Sequence, residues 1–264
     1  MNTTKTLSLK HISASLLSGK SILTDVSMHF AAGEIHVIMG PNGSGKSTLA
    51  SVLMGNPEYS VKGKIVLGKT DISKLATSER AKKGMFLAFQ SPVAISGVSV
   101  IHLIRSAYQE LHPSKASVVS KMHNAALAKR YASSGMSITE LLDTVKKYAS
   151  LLHIDESLLS RSIHEGFSGG ERKKIEVLQA LVLRPTFAVF DEIDTGLDVD
   201  ALKIVAHGIE LLQKQGTGCI IITHYQRLLT YLHPDTVTVI KKGSIVQTGD
   251  ARLVKKIEKL GYGK

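Results

Sequence analysis

The sequence predicts an α/β fold carrying an inserted helical subdomain, and three observations support that prediction. Short apolar runs alternate with helical segments, a glycine-rich loop joins one such run to a helix, and the stretch 91–165 contains helical patterns only. Strand-like runs fall at 6–11, 34–39, 64–67, 85–89, 186–190, 219–223 and 236–240. Phe187-Ala188-Val189-Phe190 and Cys219-Ile220-Ile221-Ile222 are apolar without alternation, the pattern of strands buried on both faces of a parallel sheet. Segments 46–54 and 170–183 read as helices between such runs, and strand-then-helix alternation gives a layered core. Lys241-Lys242-Gly243-Ser244, between two β-like runs, reads as a hairpin turn. Inside the interruption, 98–110, 117–131 and 137–152 read as helices. The organisation expected is one domain, with 1–90 and 166–264 as the α/β core and 91–165 as the helical subdomain.

Composition narrows the classes of function. The chain has 264 residues, 33 Lys+Arg against 22 Asp+Glu for a formal charge of +11, and one cysteine. A single cysteine excludes an intramolecular disulfide. It also excludes an iron–sulfur cluster held by this chain's own thiolates, which ordinarily takes about four. The residues after Met1 lead into no apolar leader, and no run approaches the roughly 20 apolar residues of a membrane span. A cytoplasmic protein without membrane insertion is expected. The positive charge collects in 101–135 (Arg105, Lys115, Lys121, Lys129, Arg130) and in 241–264, and suggests an anionic partner. Aromatic residues are not interleaved with these basic ones as a stacking platform, so no nucleic acid is expected.

The chemistry begins at Gly40-Pro41-Asn42-Gly43-Ser44-Gly45-Lys46-Ser47-Thr48, which follows a strand-like run and opens a helix. This is the P-loop pattern in its required strand–loop–helix context. Its glycines let backbone N–H groups converge on an anion, and the helix N-terminus adds partial positive charge. Lys46 is placed to reach the β- and γ-phosphates and Ser47 to ligate Mg²⁺. Such a loop needs a carboxylate for the metal, and Asp191 supplies one at the end of the buried run 186–190. Glu192 follows, suited to orienting or deprotonating water.

Phe167-Ser168-Gly169-Gly170-Glu171 lies before Asp191 and starts a helix. Together with the P-loop it resembles the signature of the ATP-binding-cassette (ABC) ATPases. Further stations of that family follow in order: Gln90 resembles the Q-loop glutamine, Thr195-Gly196-Leu197-Asp198 the D-loop, and His224 the switch histidine. The resemblance covers nearly the whole chain and implies a P-loop ABC ATPase core with a mixed sheet and an inserted helical subdomain. Phe89-Gln90-Ser91-Pro92-Val93, the F-S-G-G-E signature, Asp191 to Leu202, Thr223-His-Tyr-Gln-Arg227 and the tail Gly261-Tyr262-Gly263 are similar to the SufC family, the ABC-type ATPases of Suf iron–sulfur cluster assembly. The resemblance implies ATP and Mg²⁺ as cofactors, with Ser47, Gln90 and Asp191 around the metal and Gly40 to Thr48 around the triphosphate. Glu192 would activate water and His224 would contact the γ-phosphate. Ser168, Gly169, Gly170 and Glu171 would serve nucleotide on a second copy, with Thr195, Gly196, Leu197 and Asp198 at the junction of a transient, ATP-dependent face-to-face dimer. SufB-like and SufD-like scaffold proteins would be the partners, and a membrane importer's nucleotide-binding subunit is the alternative.

The family often stacks adenine on an aromatic residue upstream of the P-loop, and 12–20 contains none. Cys219, in an apolar run, reads as a small core residue. His11, His29, His102, His112, His123, His153 and His233 show no metal-ligand spacing.

Overall fold

In the computed structural model, which describes residues 5–112, 136–224 and 227–262, the buried apolar runs form the middle of a six-stranded sheet. Strands β3 (Ile35–Met39), β7 (Phe187–Asp191) and β8 (Gly218–Ile222) are buried at every position, as their unbroken apolar sequences require. With β6 (Met85–Ala88), β9 (Thr236–Lys241) and β10 (Ser244–Gly249) they give the order β10-β9-β3-β8-β7-β6. All neighbours are parallel except β9 and β10, which pair antiparallel through the turn Lys242-Gly243. The sheet is therefore mixed.

A second, antiparallel sheet has the order β2-β1-β4-β5, from β1 (Thr6–Leu16), β2 (Ser21–Ala31), β4 (Tyr59–Leu67) and β5 (Thr70–Asp71). Its inward residues Leu7, Leu9, Ile12, Leu23, Val26, Phe30 and Ile65 join one core with Leu49 and Leu53 of helix α1 (Lys46–Met54) and with Ile38, Val189 and Ile220 of the larger sheet. Sequence pattern stops β1 at His11, but the strand runs on to Leu16. The reason is a bulge at which His11 and Asp25 both take positive φ, 53° and 51°, and their side chains meet at 2.7 Å. A bulge shifts the two-residue period, so the alternation that marks a strand is lost there. The same irregularity hides β2 from pattern reading.

The chain divides into two compact units, Met1–Pro92 with Arg184–Lys264, and Val93–Leu183. The first holds both sheets, α1, α2 (Thr77–Lys82), α7 (Val199–Lys214) and α8 (Arg252–Leu260). Among the described residues the second holds helices: α3 (Val100–Leu111), α4 (Ile138–Leu151), α5 (Glu156–Ser160) and α6 (Gly169–Leu183). Its limits differ from the 91–165 read from sequence, because α6 packs against α3 and α4 and so belongs with them. The helix read at 117–131, with Lys115, Lys121, His123, Lys129 and Arg130, lies outside the described residues, as do Tyr225, Gln226 and Gly263. Among the described residues no helix is long and apolar enough to cross a membrane.

Candidate nucleotide site

Parallel pairing decides where the functional side chains emerge. Ile38 of β3 and Asp191 of β7 both stand opposite Ile222 of β8, and Ala88 of β6 opposite Phe190. The carboxyl ends of four strands therefore lie level, and Gly40, Gln90, Asp191 and His224 leave from them, the edge where open α/β sheets bind ligands.

The loop Gly40–Gly45 carries the chain from β3 into α1. Gly40 takes φ 156°, and a side chain there would fall on the Ile240 carbonyl oxygen and meet Ser44 Oγ at 2.8 Å, so only glycine fits. Ser44 N donates to Pro41 O at 3.2 Å and Leu49 N to Gly45 O at 2.9 Å, which closes the loop onto the first helical turn. Lys46 is 5% exposed, and its Nζ donates to the carbonyl oxygens of Gly40 (2.8 Å) and Pro41 (3.1 Å). Burial pushes the Lys46 ammonium below the ordinary lysine range, and the Glu192 and Asp191 carboxylates oppose that shift. The Ser44 hydroxyl is buried without a hydrogen-bond partner among the described residues. A buried ammonium and an orphaned hydroxyl in a glycine loop fit an anion with several acceptor oxygens.

Beside the loop, Ser47 Oγ donates to Asp191 Oδ1 at 3.2 Å. A hydroxyl and a carboxylate, with the Gln90 amide oxygen on the same cavity, are hard oxygen donors of the kind Mg²⁺ takes. Among the described residues no cluster of three or more His, Cys, Asp or Glu could hold a metal alone. The fit is to a cation that shares its ligands with phosphate.

Glu192 sits one residue past β7 with φ 48°, an uncommon left-handed conformation for this residue type, held by Glu192 N donating to Ile222 O at 2.9 Å. Its carboxylate is gripped from two sides. Gln90 Nε2 donates to Oε2 at 2.6 Å, with Thr195 Oγ1 at 3.4 Å from the same oxygen, and His224 Nδ1 lies 3.1 Å from Oε1. Asp194, two residues on, is 7% exposed and accepts from Thr223 Oγ1 at 2.7 Å, and burial raises its carboxyl above the usual range.

Of the residues singled out in the sequence, Asn42 to Thr48, Gln90, Glu192 and His224 line one cavity of about 630 Å³. Asp191 touches it through Ser47. Thr195, Gly196, Leu197 and Asp198 form the connection to α7, where Leu197 is buried and Asp198 caps the helix by accepting from Ala201 N at 2.7 Å. Ser168, Gly169, Gly170 and Glu171 belong to the other unit and start α6. There Ser168 N donates to Glu171 Oε2 (2.7 Å) and Glu171 N to Ser168 Oγ (3.2 Å), a reciprocal cap that holds the Glu171 carboxyl below its usual range. The S-x-x-E spacing was the signal for that cap, and it gives Glu171 a structural task that the motif reading omits. The sequence reading also missed Lys20, Ser21, Ile22, Lys242 and Gly243, which line the same cavity. They come from the start of β2 and the β9–β10 turn; the sequence marks the turn as a hairpin, but no local pattern places either segment on the cavity.

Comparison with known proteins accords with this geometry. The family model described as ABC transporter matches residues 23–195. The chain is 42% identical over 263 residues, 98% of its length and 94% of the relative's, to "Probable ATP-dependent transporter ycf16" of Cyanophora paradoxa. Two solved structures share the fold. The ADP conformation of MJ1267, an ATP-binding cassette of an ABC transporter, has a TM-score of 0.72 and 24% identity over 97% of this chain and 96% of that one. The dimeric structure of MJ0796, a bacterial ABC transporter cassette, has a TM-score of 0.71 and 18% identity over 93% and 99%. With a P-loop on the carboxyl edge of a mixed sheet, and a family match across most of its length, the chain belongs to the ABC transporter family of ATP-binding cassettes and is an ABC ATPase.

Proposed function

We propose that this ATPase is the energising subunit of a Suf-type iron–sulfur cluster assembly complex, working in the cytoplasm with SufB-like and SufD-like scaffold chains. The observation that carries the catalytic part is the grip on Glu192 by Gln90, Thr195 and His224 beside the P-loop. Lys46 and the loop amides hold the triphosphate. Ser47, Asp191 and the Gln90 amide oxygen would hold Mg²⁺, which neutralises charge on the phosphate oxygens. Glu192 orients the attacking water and accepts its proton, its position fixed by three donors so that little reorganisation accompanies the step. His224 holds the far side of the carboxylate and faces the terminal phosphate. Ser168 to Glu171 act on nucleotide held by a second copy, with Thr195 to Asp198 at the junction, so turnover requires two chains to close. The dimeric state of the MJ0796 cassette favours this reading. Nucleotide that binds only the closed pair shifts the population towards it, and that shift is the mechanical output.

The Suf assignment rests on the resemblance of Phe167 to Glu171, Thr195 to Asp198 and the segment after Gln90. Two structural features are compatible with this assignment. Phe89 is 58% and Val93 78% exposed, large for apolar side chains. Cys219 is fully buried, and burial pushes its thiol up to about 12, so this chain offers no thiolate to a cluster, which stays on partner chains as their substrate. The Cyanophora relative, named as a probable ATP-dependent transporter, favours a second reading, the nucleotide-binding subunit of a membrane transporter. Affinity purification of the full chain from its native cell separates the two. Scaffold chains of the assembly machinery are expected to co-purify, and a membrane permease in their place rejects the Suf assignment.

A further inference from the structure

A buried histidine that belongs to none of the motifs lies just ahead of Phe167. His164 is 3% exposed, and its partner Glu176, on α6, is 5% exposed. His164 Nε2 lies 3.0 Å from Glu176 Oε1, and because a carboxylate only accepts, the ring donates. Gln179 Nε2 donates to the same oxygen at 3.1 Å. His164 Nδ1 is left buried without a hydrogen-bond partner among the described residues. A buried polar pair with one nitrogen orphaned is a poor source of stability, since apolar side chains of the same shape serve as well. The pair therefore points to a task beyond packing.

The path of the chain shows what that task is. Residues 161–165 are laced to the segment 95–100: Ile95 N donates to Ile163 O at 3.2 Å, Ile163 N to Val98 O at 2.9 Å, Val100 N to Arg161 O at 3.2 Å and Gly97 N to Ser162 Oγ at 3.0 Å. On its other side the chain is held along one face of α6, where Arg172, Glu176 and Gln179 follow the i, i+4, i+7 spacing. Arg172 Nε donates to Phe167 O at 3.1 Å, and Glu176 takes the His164 ring. Between these two grips the backbone turns sharply, with His164 at φ 61° and Gly166 at φ 69°. The His164 ring meets the buried Phe167 ring edge-on, with centroids 6.2 Å apart, and the Arg161 guanidinium lies 5.3 Å from the centre of the Phe167 ring. Ser168 comes next, its amide and hydroxyl engaged with Glu171. The direction in which Ser168 and the Gly169-Gly170 amides are presented is thus set by Glu171, Arg172 and Glu176, the last of which fixes the chain upstream of Gly166.

We propose that His164 is a positioning residue for ATP turnover: by donating to Glu176 it fixes how the chain enters α6, and so where Ser168, Gly169 and Gly170 stand against nucleotide held by a second copy. This inference rests on the reading of Ser168 to Glu171 as acting across a closed pair. Its effect falls on the closed pair, so it governs turnover and not the affinity of its own chain's P-loop.

The test uses the full chain with Mg²⁺ and compares His164→Leu with His164→Gln, whose amide can still donate to Glu176. His164→Leu should bind MgATP like the parent chain in calorimetry, while phosphate release at saturating ATP falls by about tenfold or more, as for a misplaced group in a reacting assembly. His164→Gln should return release to within about threefold of the parent, the scale of one neutral hydrogen bond. Parent-like turnover in His164→Leu, loss of its MgATP binding, or a glutamine variant as impaired as the leucine one overturns the assignment. Mixing variants separates positioning from a folding defect. In a mixed pair of His164→Leu and Glu192→Gln, one composite site joins the intact Glu192 of the first chain to the intact Ser168 segment of the second. Phosphate release well above the sum of the two variants measured apart is expected. A mixture no better than that sum overturns the inference alone if Ser168→Arg mixed with Glu192→Gln does recover, and removes the composite-site reading with it if that mixture also fails.

Discussion

At the P-loop end of the cavity Ser44 and Lys46 are almost wholly buried, the loop is closed by its own hydrogen bonds, and the Glu192 carboxylate is held by Gln90, Thr195 and His224. At the adjoining wall the backbone is equally well pinned, through Gly243, Ser44 and Thr24, but Lys20, Ser21 and Lys242 stand in solvent. One end has side chains preorganised around a particular charge distribution, and the other has a rigid backbone carrying adaptable side chains. Preorganised donors in a water-poor setting deliver both affinity and rate, whereas exposed charges deliver modest, screened attraction. The contrast predicts steep penalties for substitutions at the first end and shallow ones at the second.

The largest effect on binding is expected at Lys46. Lys46→Ala leaves the buried loop without its cation, and MgATP affinity measured by calorimetry should fall by about a hundredfold or more, the scale of removing one partner from a desolvated charge pair. Affinity like that of the parent chain would erase the distinction between the two ends, because Lys46 would then weigh no more than Lys20 or Lys242.

A smaller effect sharpens the same comparison through stability. Asp194 is buried with one oxygen on Thr223 and its other oxygen without a partner among the described residues, and its pKa is raised by burial. A carboxyl with a raised folded-state pKa favours the protonated form on folding. Its contribution is therefore present below the unfolded-state pKa and is lost as pH rises through the folded-state value. Asp194→Asn keeps an acceptor for Thr223 and removes the buried charge. At neutral pH it should be neutral or stabilising by about 1 kcal/mol, with a flatter dependence of Tm on pH across and above the carboxylate range. A variant that melts lower at neutral pH and keeps the parent's pH slope would contradict the burial account of this carboxyl.

The same division explains what could be read from the sequence. Helix α1 begins at Lys46 and ends at Met54, the limits its apolar spacing and the glycine loop imply. The buried strands announce themselves by unbroken apolar runs, and each catalytic candidate of the core unit lies at a strand end where sequence reasoning puts it. Phosphate chemistry demands fixed residue types at fixed spacing, so it leaves a local trace. The wall of Lys20 and Lys242 leaves none as a site, because the two are more than two hundred positions apart and come to one cavity only through the pairing of β9 with β3 and the closure of Gly243 on Ile22. Strand β2 escaped for a different reason: Asp25 at positive φ breaks its alternation. The C-terminal limit of the helical unit escaped because packing, which pattern does not encode, assigns α6 to α3 and α4.

The central claim is that the held carboxylate of Glu192 performs the chemistry while the P-loop performs the binding. Measuring phosphate release and MgATP binding in parallel for the parent chain and Glu192→Gln tests it most directly. The amide keeps the shape of the side chain but loses the proton acceptor, so turnover should fall by about a hundredfold or more with nucleotide affinity retained. Turnover at the parent rate in that variant would contradict the account.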